Sequence, residues 1–236
     1  IMAYSTINKS TYFFNTKLYT GNASTQNITG VGFQPDWTWI KDRNYDNGHN
    51  IYDAVRGTTK RIQSQSTNAE ATRSNGLTAF ISDGFSIGND SQINDTSSYN
   101  YVSWNWKANG QGSSNTDGSI NTTYTSVSTT AGFSISKYTG TGSAATIGHG
   151  LGVAPKMVIV KRLNNADGWQ VYADGYGVNN YLRLDTTASE SSDSSRFGAA
   201  PTASVFSVGT ANGTNASGDT YIAYCFAEKK GFSKFG

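Results

Sequence analysis

Val31-Gly-Phe-Gln-Pro-Asp-Trp-Thr-Trp-Ile-Lys41 returns 120 positions later as Leu151-Gly-Val-Ala-Pro-Lys-Met-Val-Ile-Val-Lys161, with Pro35 answering Pro155. The same spacing sets Tyr52 on Tyr172, Gly57 on Gly177, Ile62 on Leu182, Glu70 on Glu190, Tyr101 on Tyr221 and Trp106 on Phe226. Upstream, Lys17-Leu-Tyr-Thr-Gly21 answers Lys137-Tyr-Thr-Gly140, and Gly84-Phe-Ser-Ile-Gly88 answers Val205-Phe-Ser-Val-Gly209 with the register moved by one. Agreement over this length makes the chain a tandem duplication of one module, with small insertions where loops belong.

Strand signals recur every few residues within each copy. They are the Tyr-Thr-Gly turn, the apolar run after Pro35 or Pro155, Asn50–Val55 or Gln170–Ala173, Arg61–Ser64 or Tyr181–Asp185, the Gly-Phe-Ser-Ile-Gly stretch, and the closing runs Tyr101–Trp106 and Tyr221–Phe226. This pattern predicts an all-β chain of two tandem β-sandwich modules, jelly-roll-like, joined by a Gly/Ser/Asn linker. The expected boundaries are an N-terminal arm at 1–11, module one at 12–108, the linker at 109–131 and module two at 132–236. Residues 109–119 contain no apolar side chain, whereas the Ser/Thr-rich 120–131 leaves a strand or a stalk open. In the closing run Val102, Trp104 and Trp106 alternate with Tyr101, Ser103 and Asn105; the second copy is apolar on both faces, which predicts a central strand. Trp37, Trp39, Trp104 and Trp106 are read as core. Thr67-x-x-Glu70 and Thr187-x-x-Glu190 have the form of a capping box, but no apolar-periodic run follows, so one turn at most is expected.

Of the 236 residues, 36% are hydrophobic and 13% aromatic, enough to offset the entropy of ordering. Charged residues are 14% and the net charge is +2, with no basic run longer than Lys229-Lys230, so neither a nucleic-acid nor a membrane surface is predicted. The longest apolar stretch, around Met157-Val-Ile-Val160, falls far short of the ~20 residues that a membrane span needs. Cys225, the single cysteine, lies in an apolar run and reads as a small buried hydrophobe. Residues 1–30 are polar, so no secretory leader is expected, and Met2 reads as the initiator, with Ile1 outside the native chain.

Chemistry-bearing patterns are sparse. His49 and His149 are the two histidines, and the equivalent positions hold Trp169 and Thr29, so the copies share no histidine. Gly148-His-Gly-Leu-Gly152 runs into Val-Ala-Pro and then a strand, whereas a phosphate loop must open a helix. One Cys and two His cannot build a structural zinc site, and no Gly-x-Ser-x-Gly elbow is present. Asp42 with Asp46 and Asp174 with Asp185 are acidic pairs, and Asn89-Asp90 and Asn94-Asp95-Thr96 offer oxygen ligands; turn chemistry accounts for all of them. No enzyme, cofactor or metal site is expected. The aromatic and polar residues near the middle strands, Tyr45, His49, Arg56, Trp169 and Tyr176, remain as candidates for glycan binding or for packing against a partner.

Five stretches carry a family resemblance: Tyr12-Phe-Phe-Asn-Thr-Lys-Leu-Tyr-Thr-Gly21, Val31 to Arg43, Ala54-Val-Arg-Gly-Thr-Thr-Lys60, Leu77-Thr-Ala-Phe-Ile-Ser-Asp-Gly-Phe85 and Tyr101-Val-Ser-Trp-Asn-Trp-Lys107. They resemble the repeat modules of large virion-associated proteins of marine tailed bacteriophages, of the tail-fibre or capsid-surface kind. The second copy, with Gly148–Lys156 and Ala223–Gly236, is similar to a second repeat type of the same proteins. The resemblance spans nearly the whole chain and carries no active-site or ligand residue onto it. It implies a virion structural protein at the particle surface, a homo-oligomer meeting other copies and other virion proteins. The alternative is a lectin-like adhesin that recognises a host surface glycan; a polysaccharide depolymerase is a third reading, against which the absence of duplicated carboxylate pairs counts. Finally, Gly231-Phe-Ser-Lys-Phe-Gly236 repeats the Gly132-Phe-Ser134 opening of module two, so it reads either as the start of a further module or as a closing edge strand.

Overall fold

The computed structural model describes residues 5–235. The readings of Ile1 and Met2, part of the expected arm, and of Gly236 lie outside the described residues. The chain is all-β with antiparallel sheets and divides into two units. The N-terminal unit is Lys9–Gln65 with Glu70–Gln111; the C-terminal unit is residues 112–235 together with Ser66–Ala69 and residues 5–8.

The N-terminal unit contains β1 (Phe14–Thr20), β2 (Gln26–Thr29), β3 (Trp37–Asp42), β4 (Asn50–Asp53), β5 (Lys60–Gln63), β6 (Ala71–Thr72), β7 (Leu77–Ile81), β8 (Gly84–Ile87) and β9 (Asn100–Trp106). Its main sheet runs β1-β9-β3-β4-β5-β6 and a smaller one runs β2-β8-β7. β9 sits between β1 and β3, the same central place that the doubly apolar closing run of the second copy implies for its counterpart. Side chains of both sheets meet in one buried cluster that includes Ile28, Ile40, Tyr52, Phe85, Ile87 and Tyr101. Pro35, which has no N–H to give a ladder, stands before β3. Asp36 then takes the amides of Ala108 and Gly110 at 2.6 and 3.0 Å, tying the start of β3 to the chain that leaves β9. Gly84 opens β8 at φ +148°, where a Cβ would stand 1.9 Å from the Ile28 carbonyl, so only glycine fits.

The C-terminal unit contains β10 (Tyr124–Ser128), β11 (Phe133–Thr139), β12 (Ala145–Gly148), β13 (Met157–Arg162), β14 (Gln170–Ala173), β15 (Asn180–Arg183), β16 (Ser191–Ser192), β17 (Val205–Val208), a single helical turn α1 (Asn212–Asn215) and β18 (Thr220–Phe226). The main sheet is β10-β11-β18-β13-β14-β15-β16 and the smaller one β12-β17. The partner of β17 that would match β7 is missing, because Phe197-Gly-Ala-Ala-Pro201 replaces the β-forming Leu77-Thr-Ala-Phe-Ile81 and proline removes a ladder donor. Ile147, Phe206 and Val208 of the small sheet share a cluster with Tyr138, Val158, Tyr221 and Cys225 of the main one. Burial pushes the Cys225 thiol up to about 12, which leaves it a neutral packing group.

The 109–131 stretch does more than link. Ser113 and Thr125 exchange backbone hydrogen bonds, Ile120 is buried and bridges to Ile147, and β10 pairs along β11 as an added edge strand. The two threonine-to-glutamate stretches form no helix and lie in the β5–β6 and β15–β16 connections. The closing segment turns back on itself: Lys229 and Ser233 bridge, the Phe235 amide donates to Glu228, and the Phe235 ring lies 5.5 Å from that of Phe226. It is a bridged turn, not a strand.

The duplication reaches individual hydrogen bonds. Tyr19 stacks on Tyr101 at 5.1 Å, and Tyr138 on Tyr221 at 5.2 Å, each pair 15° from parallel. Tyr19 donates to the Ile93 carbonyl and Tyr138 to that of Thr214. Tyr101 donates to Ser91 and accepts from the Asp95 amide, and Tyr221 does the same with Asn212 and Ala216. Burial raises both of these phenols to about 12, so the donated proton stays in place. At the centre of each arrangement is a buried asparagine. Asn94 donates to the Ser24 and Gly88 carbonyls and accepts from the Asn22 amide; Asn215 donates to Ser143 and Gly209 and accepts from Thr141.

Candidate functional site

Register decides which side chains share a face of the main sheet. Phe14, Trp106 and Trp37 stand in one row across β1, β9 and β3, and Thr16, Trp104 and Trp39 in the next. These rows face away from Tyr101 and Ile40, which point into the core, because neighbours on a strand alternate sides. Trp37 is buried, but Phe14, Trp39, Trp104 and Trp106 are only partly so, and Leu18 on the same face is 56% exposed. The core reading thus holds for Trp37 and is corrected for the other three tryptophans. The inner face is instead completed by polar contacts, with Thr38 donating to Asn105 and Asn105 to Ser103.

The aromatic face is a built arrangement. Trp106 lies 4.7 Å from Phe14 and 4.4 Å from Trp37, and Trp39 meets Trp104 edge-on at 78° and His49 at 81°. Phe14, Trp39, His49, Trp104 and Trp106 line a shallow apolar hollow of about 280 Å³. The Trp39 indole N–H lies 2.8 Å from His49 Nδ1. An indole only donates, so Nδ1 must accept, and the imidazole is the neutral tautomer with its proton on Nε2. Burial, with Lys41 nearby, lowers the imidazole below its ordinary range and keeps it neutral near pH 7. The hollow therefore pairs flat apolar rings with one N–H donor, a combination suited to a pyranose ring or to a backbone carbonyl on a partner.

The five candidate residues do not converge. His49 lines the hollow. Tyr45 is exposed and stacks on Tyr99 at 4.0 Å. Arg56 is a buried structural group: it pairs with Asp53 at 2.5 Å and Glu70 at 3.1 Å and donates to the Lys60 and Ile51 carbonyls. Trp169 is fully buried, its indole donating to the Ser66 carbonyl at 3.2 Å. Tyr176 is 44% exposed beside a separate hollow of about 320 Å³ bounded by Lys156, Leu182 and Phe235. Three of the four paired acidic candidates are engaged, with Asp46 exposed: Asp42 accepts the amides of Asn44 and Tyr45, Asp185 that of Trp169, and Asp174 pairs with Lys156. Asp90 caps the turn at Gln92 and lines a polar hollow of about 350 Å³ with Arg73 and Asn75. Among the described residues no three His, Cys, Asp or Glu side chains are grouped to hold a metal ion, and no helix is long and apolar enough to cross a membrane.

Phe14, Trp104 and Trp106 were absent from the candidates because alternation tells which residues share a face without telling which face is covered. The signal that marks the core side is the pair of tyrosines identical in both copies, Tyr101/Tyr221 and those at 19 and 138.

No curated protein and no solved structure matches the chain. A family model described as a domain of unknown function, DUF7483, matches residues 9–236, and the chain belongs to that family.

Proposed function

We propose that the chain is a non-catalytic virion structural protein of the tail-fibre or capsid-surface kind, built as two tandem jelly-roll-like β-sandwich modules. In this reading it meets other copies and other virion proteins at the particle surface through the aromatic face of the N-terminal unit. The observation that carries it is the set of Phe14, Trp39, Trp104 and Trp106, partly exposed side by side on one sheet. Aromatic rings grouped on an open face are the composition of an association surface. Each such ring carries about 150–250 Å², and covering the exposed part of four is worth roughly 5 kcal/mol at about 25 cal/mol per Å². That only meets the low end of the ~4–15 kcal/mol cost of association, so polar contacts must contribute as well. Antibodies to the chain should label intact tailed particles and stay with them through density-gradient purification. Label found only in the soluble fraction would overturn the proposal.

The second reading, a lectin-like adhesin, is favoured by the His49–Trp39 hydrogen bond, which sets one imidazole donor at the rim of a flat ring surface. On a bacterial glycan array it expects binding that Trp104→Ala removes, with quenching of tryptophan fluorescence on titration; an empty array would leave the structural reading alone.

A further inference from the structure

The C-terminal unit includes a short contact whose two halves recur, separately, in the other copy of the repeat. Ser66–Ala69 belongs to this unit. Trp169 Nε1 donates to the Ser66 carbonyl at 3.2 Å, the Asp167 amide to the Thr67 carbonyl at 2.8 Å, and Lys161 Nζ to the Thr67 carbonyl at 3.1 Å. Three donors thus receive one bend of chain through its carbonyls. That bend is shaped by its own side chain, the Asn68 amide donating to Ser66 Oγ.

The repeat spacing places a second set of donors at Lys41, Asn47 and His49, where Lys161, Asp167 and Trp169 stand in the other copy. His49 offers Nε2–H at the edge of the aromatic hollow. The Asn47 backbone N–H has no hydrogen-bond partner among the described residues, its side chain being held by Asp42 and Gln92. Lys41 donates to the Asp42 and Tyr45 carbonyls, which leaves one of its three ammonium protons. The same spacing places a second bend at Thr186–Ser189, between β15 and β16, where all four residues are exposed. It has the same internal bond, the Ala188 amide donating to Thr186 Oγ1. A shaped carbonyl bend and a matching row of donors are therefore both open.

We propose that a second copy of this chain seats its Thr186–Ser189 bend on Lys41, Asn47 and His49, so that copies join head to tail. The inference rests on reading the aromatic face as an association surface, and it names the partner and the segment. The Thr186 carbonyl takes His49 Nε2–H, and the Thr187 carbonyl takes the Asn47 amide and Lys41. The bend covers the His49 side of the hollow. Such a contact is heterologous: the surface used on one copy is not the one used on the next, so it does not close on itself as a two-fold dimer does.

Sedimentation velocity and native mass spectrometry of the full chain test it with two variants, both checked for native circular dichroism. Thr187→Arg, in an exposed bend, sets a cation against Lys41. Lys41→Glu with His49→Ala removes the receiving row. Wild type should form dimers and longer species as concentration rises. Each variant alone should raise the apparent dissociation constant at least tenfold. Mixed, the two should give a one-to-one dimer that grows no further, because each supplies the surface that the other lacks. A wild type that stays monomeric overturns the proposal. So does association abolished by the Lys41/His49 variant but indifferent to Thr187→Arg, an outcome that would keep the aromatic face and remove the head-to-tail partner. Association indifferent to both variants removes the face as well.

Discussion

Phe133, Ile135, Ile159, Tyr224 and Phe226 occupy, in the C-terminal unit, the register positions that Phe14, Thr16, Trp39, Trp104 and Trp106 hold in the N-terminal unit. The first set is buried and the second is partly or fully exposed. The inner faces, by contrast, keep the same stacked tyrosines and the same buried asparagine in both. Both units thus keep the stacked tyrosines on the inner side, although Thr38, Ser103 and Asn105 give way to Val158, Ala223 and Cys225 there, and they differ most in whether the outer side is covered. The C-terminal unit spends that outer side on its own stability, whereas the N-terminal unit keeps it open.

The largest effects should come where the outer sides differ. Tyr224→Ala should cost about 3–5 kcal/mol in urea unfolding, as truncating a buried aromatic does, and Trp104→Ala about 1 kcal/mol. Equal losses would mean that the Trp104 face is covered after all. Arg56→Ala should also cost about 3–5 kcal/mol, since it leaves the Asp53 carboxylate buried without its ion pair. Tyr176→Ala, at the matching position, should stay within about 0.5 kcal/mol.

Lys161 sharpens the comparison through pH. Burial draws its ammonium down to about 8 from an ordinary 10.5; Asp167 and Asp185 oppose that fall and Arg162 adds to it. The unfolded chain therefore holds a proton that the folded chain has released between about pH 8 and 10.5. Stability should rise with pH across that window, by roughly 3 kcal/mol at full extent. Lys161→Met should flatten the rise, and a rise that persists in the variant would assign it to other groups. A last pair of variants tests sameness: Asn94→Ala and Asn215→Ala should each cost about 1–3 kcal/mol by stripping partners from buried carbonyls. A loss in one unit only would break the equivalence of the two arrangements.

The readable part of this fold was what repeats or alternates. Pro35 and Pro155 mark the strands that follow them, and the doubly apolar Tyr221–Phe226 run marks a central strand. Sidedness was not readable for Trp39, Trp104 and Trp106, because a period of two is the same pattern from either face. Asn94 and Asn215 were hidden among many turn asparagines, since their role depends on carbonyls up to 72 residues away. Arg56 and Trp169 read as loop residues because they flank strands, and their burial depends on Asp53 and on Ser66, which no local pattern announces. Of the proposed site, His49 was legible and its aromatic neighbours were not.

The placement of Ser66–Ala69 sets a timetable for the nascent chain. Ser66 and Trp169 are 103 residues apart. At about 5–20 residues per second the ribosome needs roughly 5–20 s to make that stretch. For the later part of that interval, once β9 has been made, the N-terminal unit has all of its own strands, while this bend waits with its carbonyls in water for Lys161, Asp167 and Trp169 to be made. A protease or a chaperone that acts during synthesis meets an open bend between β5 and β6, one that the finished chain withdraws.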